Sequence, residues 1–218
     1  MLFNDIRRDI DAIKERDPAA RNTLEILLLY SGFHAILLHR PAHWFYRRGV
    51  YFPARFLSQT ARFLTGIEIH PGAKIGRGVL IDHGSGVVIG ETAVVGDGCT
   101  IFQGVTLGGT GKDKGKRHPT LGNNVTVGSG AKVLGPFTIG EGSKIASNAV
   151  VLQPIPPYST AVGVPARVVK IQGRRVDSQM DHVHTPDPVS QELCRMDVEM
   201  KKLRARIAEL EKEIGKGE

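Results

Sequence analysis

The sequence predicts a mainly β protein, a parallel β-solenoid preceded by a helical segment and followed by a coiled-coil helix. Three observations carry this. Aliphatic residues recur at every sixth position from Ile69 to Val151, glycine makes up 26 of 218 residues, about 12 % where roughly 7 % is ordinary, and helical periodicity is confined to the two ends.

Residues 1–66 have a helical pattern. Phe3, Ile6, Ile10 and Ile13 are spaced by three and four, and Asp17-Pro18 has the form of an N-cap followed by proline at the first helical position. The apolar run from Leu24 to Leu38 reads as a buried helix. Interrupted by Glu25, Ser31 and His34, it falls short of the roughly 20 residues of a membrane span.

From Ile69 the period becomes six. Aliphatic residues stand at Ile69, Ile75 and Ile81, then at Ile89, Val95, Ile101 and Leu107, then at Leu121, Val127, Val133, Ile139, Ile145 and Val151. Glycine follows the aliphatic residue in seven of these thirteen units, and the fifth position is mostly small: Ala73, Ser85, Ala93, Cys99, Ala131, Ser143 and Ala149. No α-helix has this period. Short strands joined by glycine-containing turns do, with inward residues stacking on their equivalents in the next coil. The register slips by two residues between Ile81 and Ile89 and by eight between Leu107 and Leu121. Such insertions must loop out, and loops are where function concentrates.

Residues 172–188, with Pro186 and Pro188, read as a linker. Beyond them Val189, Leu193, Met196, Met200, Leu203, Ile207, Leu210 and Ile214 form a heptad seam. The expected organisation is therefore a helical domain over 1–66, the solenoid over 67–171, a linker over 172–188 and a coiled-coil helix over 189–218.

Composition narrows the function. The formal charge of +7 suits an anionic partner, but with aromatics at only 6 % nucleic-acid binding is not expected. Two cysteines, Cys99 and Cys194, exclude a disulfide framework and fit a reducing, cytoplasmic compartment. The first residues, rich in charge, offer no signal-peptide core, and no membrane association is expected. His182 and His184 have no third ligand nearby, so no metal is expected. His34, His39 and His43 read as packing or capping residues, His70 as structural, and Cys99 as core.

Chemistry gathers at the two slips. His83 stands beside Asp82 at the first, and an unassisted hydroxyl is a poor nucleophile for which histidine is the natural base. Glu68, fifteen residues earlier and nearly one coil away, is expected to accept the other ring N–H of His83. The second slip, Gly108 to Pro119, combines a flexible backbone with Lys112, Lys114, Lys116 and Arg117, suited to an anionic cofactor. It is not a nucleotide P-loop: Thr106 stands at the first glycine position and Asp113 follows Lys112.

The hexads, with Gly66-Ile67-Glu68-Ile69-His70-Pro71, Asp82-His83-Gly84, Gly90-Glu91-Thr92, Val105 to Lys112, Arg117-His118-Pro119 and Gly163 to Arg167, closely resemble the serine O-acetyltransferases, over about Asp17 to Lys170. The resemblance implies a left-handed β-helix and transfer of acetyl from acetyl-CoA to L-serine, giving O-acetylserine for cysteine biosynthesis by direct attack. It implies His83 as general base, Glu68 as its carboxylate where the family often has Asp, and His118 as a residue that orients serine with Glu91 as its partner. Arg117 takes the serine carboxylate, Asp17 and Asp82 its ammonium, and Gly109, Thr110, Ser129, Lys144, Ser147 and Arg167 contact CoA. Acetyl-CoA is the co-substrate, L-cysteine a competitive inhibitor, and the homotrimer the assembly.

Longer relatives have a larger N-terminal helical domain that pairs trimers into hexamers, and they close with Ile, which docks on O-acetylserine sulfhydrylase. With residues 1–66 shortened and Glu218 last, a trimeric coil over 189–218 is expected to replace the former, and the usual sulfhydrylase complex is not expected. The alternatives are a hexapeptide acyltransferase for a sugar or antibiotic hydroxyl, a γ-carbonic-anhydrase-like enzyme, which would need three zinc-ligand histidines, and a non-catalytic solenoid. Arg117-His118 with the Asp17 segment favours an amino-acid substrate over the first.

Overall fold

The computed structural model describes residues 2–111, 113–172, 174–175, 195–196, 199–200, 202–204 and 207, which fall into two units, Met1–Val176 and Asp177–Glu218. The first unit opens with helices α1 (Leu2–Arg16), α2 (Thr23–Leu29), α3 (Ser31–Arg47) and α4 (Tyr51–Thr65). On α1, Ile10 and Ile13 pack with Ile26, Phe33 and Leu80. The same helix presents buried Asp9, which accepts the Gly78 N–H at 2.9 Å and pairs with Arg40, fastening α1 to both the solenoid and α3.

Two helical expectations are corrected. The helix expected at Pro18 begins at Thr23, where the Asn22 side chain accepts the Glu25 N–H at 2.9 Å; Asp17 instead closes a local turn onto the Ala19 N–H at 2.8 Å. The run Leu24 to Leu38 is broken at Tyr30, whose backbone is extended, so α3 turns Phe33, Ala35 and Ile36 inward while α2 buries only Ile26. Leu24, Leu28 and Leu29 remain 63–74 % exposed in the single chain.

Gly66, in the left-handed conformation at φ 71°, stops α4 and releases the chain into the solenoid. The first coil is β1 (Glu68–Ile69), β2 (Lys74–Ile75) and β3 (Leu80–Asp82). The second is β4 (Val88–Ile89), β5 (Val94–Val95) and β6 (Thr100–Phe102), and the third β7 (Thr106–Gly108), β8 (Thr120–Leu121) and β9 (Thr126–Val127). The fourth is β10 (Lys132–Leu134), β11 (Thr138–Ile139) and β12 (Lys144–Ile145), and the fifth β13 (Val150–Val151) and β14 (Ser159–Val162). Each strand pairs in parallel with its equivalent one coil away, giving a first sheet β1-β4-β7-β10-β13, a second β2-β5-β8-β11, and a third that starts β3-β6-β9-β12-β14. The third sheet ends in antiparallel strands β15 (Arg167–Ile171) and β16 (Arg174–Arg175), so strand pairing continues into the stretch expected to be linker.

Twelve of the thirteen hexad aliphatics are buried and Ile75 is partly so. Of the seven small positions, Ser85 is the exception: it is exposed, and Val87 takes the inward place. The two-residue slip is absorbed at that turn. Buried Cys99 donates its S–H to the Gly122 carbonyl, and burial pushes its thiol up to about 11.

In the second unit Met196, Met200, Leu203 and Ile207 are helical and exposed. The other seam positions, Val189, Leu193, Leu210 and Ile214, lie outside the described residues, as do Cys194, His182, His184 and most of 172–188. No helix among the described residues is long and apolar enough to cross a membrane.

Candidate active site

Two groups of candidate residues stand at two corners of the prism. At the corner between the first and second sheets, Glu91 follows β4, and the insertion after β7 returns there with Arg117 and His118 ahead of β8. The His118 ring fills the space left by Gly90, where a Cβ would lie 2.0 Å from ring Cδ2 and 2.1 Å from Nε2. Its Nδ1 lies 2.9 Å from the Thr92 hydroxyl and accepts the Thr92 N–H at 3.2 Å. Burial, then the Arg117 guanidinium, holds the imidazole below its ordinary value.

The expected Glu91–His118 pairing is not made. The Glu91 carboxylate accepts from the Tyr46 hydroxyl at 2.5 Å and pairs with Arg117, and the Tyr46 bond, then Arg117, keep it below the usual carboxylate range. The cause is α3, whose last turn delivers Tyr46 onto Glu91, while Thr92 already occupies the near nitrogen of His118. His70 packs edge-on to Tyr46 and accepts the Gly72 N–H at 3.0 Å; burial first of all lowers it to about 4. In the insertion, a Cβ on Gly109 would meet Arg117 at 3.1 Å, Thr110 donates to Asp113, and Lys116 donates to the Thr92 carbonyl at 2.7 Å. Lys112 lies outside the described residues, and Lys114 is exposed.

At the corner between the third and first sheets, His83 sits in the two-residue slip with φ 58°. The left-handed region costs a residue with a side chain about 1–2 kcal/mol, a strain that clusters at functional sites. The His83 side chain is 76 % exposed, with Nε2 3.9 Å from Asp82 Oδ1. Above it the same corner climbs coil by coil: the Ser85 carbonyl accepts from Gly104 N–H, Gln103 from Gly130, and Ser129 from Asn148. Ser129 donates to Ser147 Oγ at 3.1 Å, and Lys144 is exposed on β12 of the third sheet. Arg167 lies on the antiparallel β15.

Glu68 is also corrected. Its carboxylate meets Arg62 of the preceding α4 at 3.2 Å and makes no hydrogen bond to His83. Because β1 opens directly after α4, the last helical turn reaches this side chain first. Asp17 accepts the Tyr30 hydroxyl at 2.6 Å, and partial burial, then Asp17, with Asp82 contributing, push Tyr30 up to about 12. A Cβ on Gly32 would lie 2.0 Å from the Ile81 carbonyl, so only glycine lets α3 begin against the end of β3 and bring Tyr30 beside Asp82.

Helix α3 therefore spans the two corners. Tyr30, just ahead of it, belongs to the Asp17, Asp82 and His83 group, and Tyr46, in its last turn, belongs to the Glu91, Arg117 and His118 group. Sixteen residues at 1.5 Å each separate them by ~24 Å. One chain assembles each group but does not bring them together. Tyr30, Tyr46, Gly32, Gly90 and Thr92 are functional neighbours that sequence reasoning missed; only the last two carried a signal, lying beside Glu91 in Gly90-Glu91-Thr92. Among the described residues no group of three His, Cys, Asp or Glu is placed to hold a metal.

Comparison with known proteins finds relatives along nearly the whole chain. Residues 1–37 match the family model described as serine acetyltransferase, N-terminal, and residues 118–153 match bacterial transferase hexapeptide (six repeats). A serine acetyltransferase of Bacillus subtilis is 51 % identical over 214 residues, 98 % of this chain and 99 % of that one. Another, from Staphylococcus aureus strain N315, is 53 % identical over 203 residues, 93 % of this chain and 95 % of the relative. Among solved structures, the Brucella abortus serine acetyltransferase in complex with coenzyme A superposes with a TM-score of 0.76 at 44 % identity, covering 81 % of this chain and 70 % of that one. The Neisseria gonorrhoeae serine acetyltransferase in complex with serine gives a TM-score of 0.75 at 43 % identity over 77 % of this chain and 69 % of that one.

Proposed function

The chain belongs to the serine acetyltransferases, and from that membership we propose how its two corners divide the work. It is an acetyl-CoA-dependent O-acetyltransferase that converts L-serine to O-acetylserine for cysteine biosynthesis. The observation that carries the arrangement is the ~24 Å across α3, several times the size of a serine molecule. A complete site then needs two copies of the chain, the His83 corner of one facing the His118 corner of the next, and a closed ring of three such contacts is a homotrimer. Apolar surface left exposed in the single chain, Leu24, Leu28 and Leu29 on α2 and Phe52, Phe56 and Phe63 on α4, supports assembly. The exposed helical Met196, Met200, Leu203 and Ile207 support a parallel coil over 189–218 as a further tie.

In this site the serine ammonium lies between Asp17 and Asp82, and its carboxylate meets Arg117 of the adjacent copy, whose guanidinium Glu91 and Tyr46 hold in place. His83 takes the hydroxyl proton as the serine oxygen bonds to the thioester carbonyl carbon. The C–S bond then breaks, and the imidazolium returns the proton to the leaving thiolate. Glu68 supports that imidazolium. Its strand begins directly under the His83 turn, where the Gly86 N–H donates to the Gly66 carbonyl at 3.0 Å, so an imidazole turned toward β1 competes with Arg62 for the carboxylate. CoA follows the corner above His83 past Ser129 and Ser147 toward Lys144 and Arg167, with Gly109 and Thr110 closing from the adjacent copy. Cysteine, which replaces the serine oxygen by sulfur, binds the same groups and competes. The chain works in the cytoplasm, in keeping with its two cysteines and with Cys99 kept as a buried thiol. A free-thiol assay tests the reading: CoA release with L-serine is expected, and release with sugar acceptors but not serine would overturn it.

A further inference from the structure

Around His118 the hydrogen-bond accounting closes on one residue, Thr92. A threonine hydroxyl has two acceptor lone pairs and one proton. The Arg117 and His118 backbone N–H groups both donate to Thr92 Oγ1 at 3.0 Å, filling the lone pairs. The remaining proton points to His118 Nδ1, 2.9 Å away, which also receives the Thr92 N–H at 3.2 Å. The Thr92 carbonyl takes Lys116 Nζ at 2.7 Å. One residue on the turn after β4 thus holds three consecutive residues near the end of the insertion: Lys116 by its side chain, Arg117 by its backbone N–H and His118 by both.

The geometry points to Thr92 as the positioning residue of the serine site, fixing His118 as the neutral tautomer that carries its proton on Nε2. Two donors converge on Nδ1, so a proton there would face two others, and the ring's one free valence is the Nε2–H. His118 is therefore a hydrogen-bond donor to the bound amino acid and leaves base catalysis to His83. The Arg117 N–H bond extends the same control to the guanidinium, since it fixes the backbone from which Arg117 reaches Glu91. This inference rests on the proposed role of His118 toward serine.

The test uses the full-length enzyme with Thr92→Val, which keeps the branched shape and removes the hydroxyl, and Thr92→Ser, which restores it. With 15N-labelled histidine, the wild-type His118 ring should show an unprotonated Nδ1 and a protonated Nε2; Thr92→Val should gain an Nδ1–H population and Thr92→Ser should not. Thr92→Val is expected to lower kcat/KM for serine about 10–100-fold with the acetyl-CoA KM within about twofold, and Thr92→Ser to recover most of the loss. In Thr92→Val/His118→Ala, the valine should add less than it costs in the wild type, because its effect through the imidazole is already lost and only the hold on the Arg117 backbone remains. Unchanged His118 ring signals in Thr92→Val, or equal rises in the KM of both substrates, would overturn the role given to Thr92. A shifted tautomer with wild-type serine kinetics would overturn the inference at its premise, the contact of His118 with serine.

Discussion

His118 and His83 stand at neighbouring corners of one prism and are held in opposite ways. His118 is 9 % exposed, seated over Gly90 and bonded to Thr92 on one nitrogen. His83 is 76 % exposed on a left-handed turn, its nearest charged neighbour Asp82 at 3.9 Å. The first corner is finished within the chain, with Tyr46, Glu91 and Arg117 in a continuous network. The second presents its imidazole outward to solvent. One fold can therefore lock an imidazole into a hydrogen-bonded seat at one corner and leave another open to solvent at the next.

The largest effect should come from the open corner. His83→Ala is expected to lower turnover about 10²–10⁴-fold with little change in acetyl-CoA affinity, the range for losing a general base. Steady-state turnover near wild type would remove His83 from the mechanism. At the closed corner, Gly90→Ala puts a methyl group in the space of the His118 ring, and a displacement of this order should cost about 10²-fold in kcat/KM for serine while the chain still folds. Retained kinetics would mean that the ring need not sit where it does. Arg117→Ala should raise the serine KM about tenfold or more and leave the acetyl-CoA KM nearly unchanged, since one substrate alone loses a charge-assisted partner.

The smallest effect tests the spacer between the corners. Halfway along α3, His39 is buried with Nδ1 unpartnered, and burial, then His43, lower it to about 3. Between that value and the ordinary 6.5 the unfolded chain holds a proton that the native chain lacks. Stability therefore falls as pH drops through this window, by at most about 1.4 kcal/mol per pH unit. Denaturant unfolding of wild type should lose up to about 2 kcal/mol more than His39→Leu between pH 7 and pH 5, and equal losses would show that His39 does not titrate this way.

What was legible in the sequence was whatever repeats. The hexad placed twelve inward aliphatics and both insertions, because stacking coils impose one period on backbone and core alike. It erred at Ser85, since a slip of two could be drawn on either side of the turn and the folded turn gives the inward place to Val87. Candidate site residues were named by type and motif, and two of their expected pairings, Glu91 with His118 and Glu68 with His83, are not made. Glu91 turned to Arg117 and Tyr46, and Glu68 to Arg62, because side chains from outside the hexads, Tyr46 on α3, Arg117 in the insertion and Arg62 on α4, reach those carboxylates first. Sequence spacing along a solenoid measures position within coils and says nothing of what a packed helix brings to them.

The division of one site between two chains is tested most directly by complementation. His83→Ala and His118→Ala chains, each nearly inactive alone, are co-expressed in equal amounts and the mixed oligomers assayed. If neighbouring copies complete each other, three quarters of random trimers are mixed and each regains one intact site of three, giving about a quarter of wild-type activity. Activity no greater than that of the two variants assayed separately would contradict a shared site.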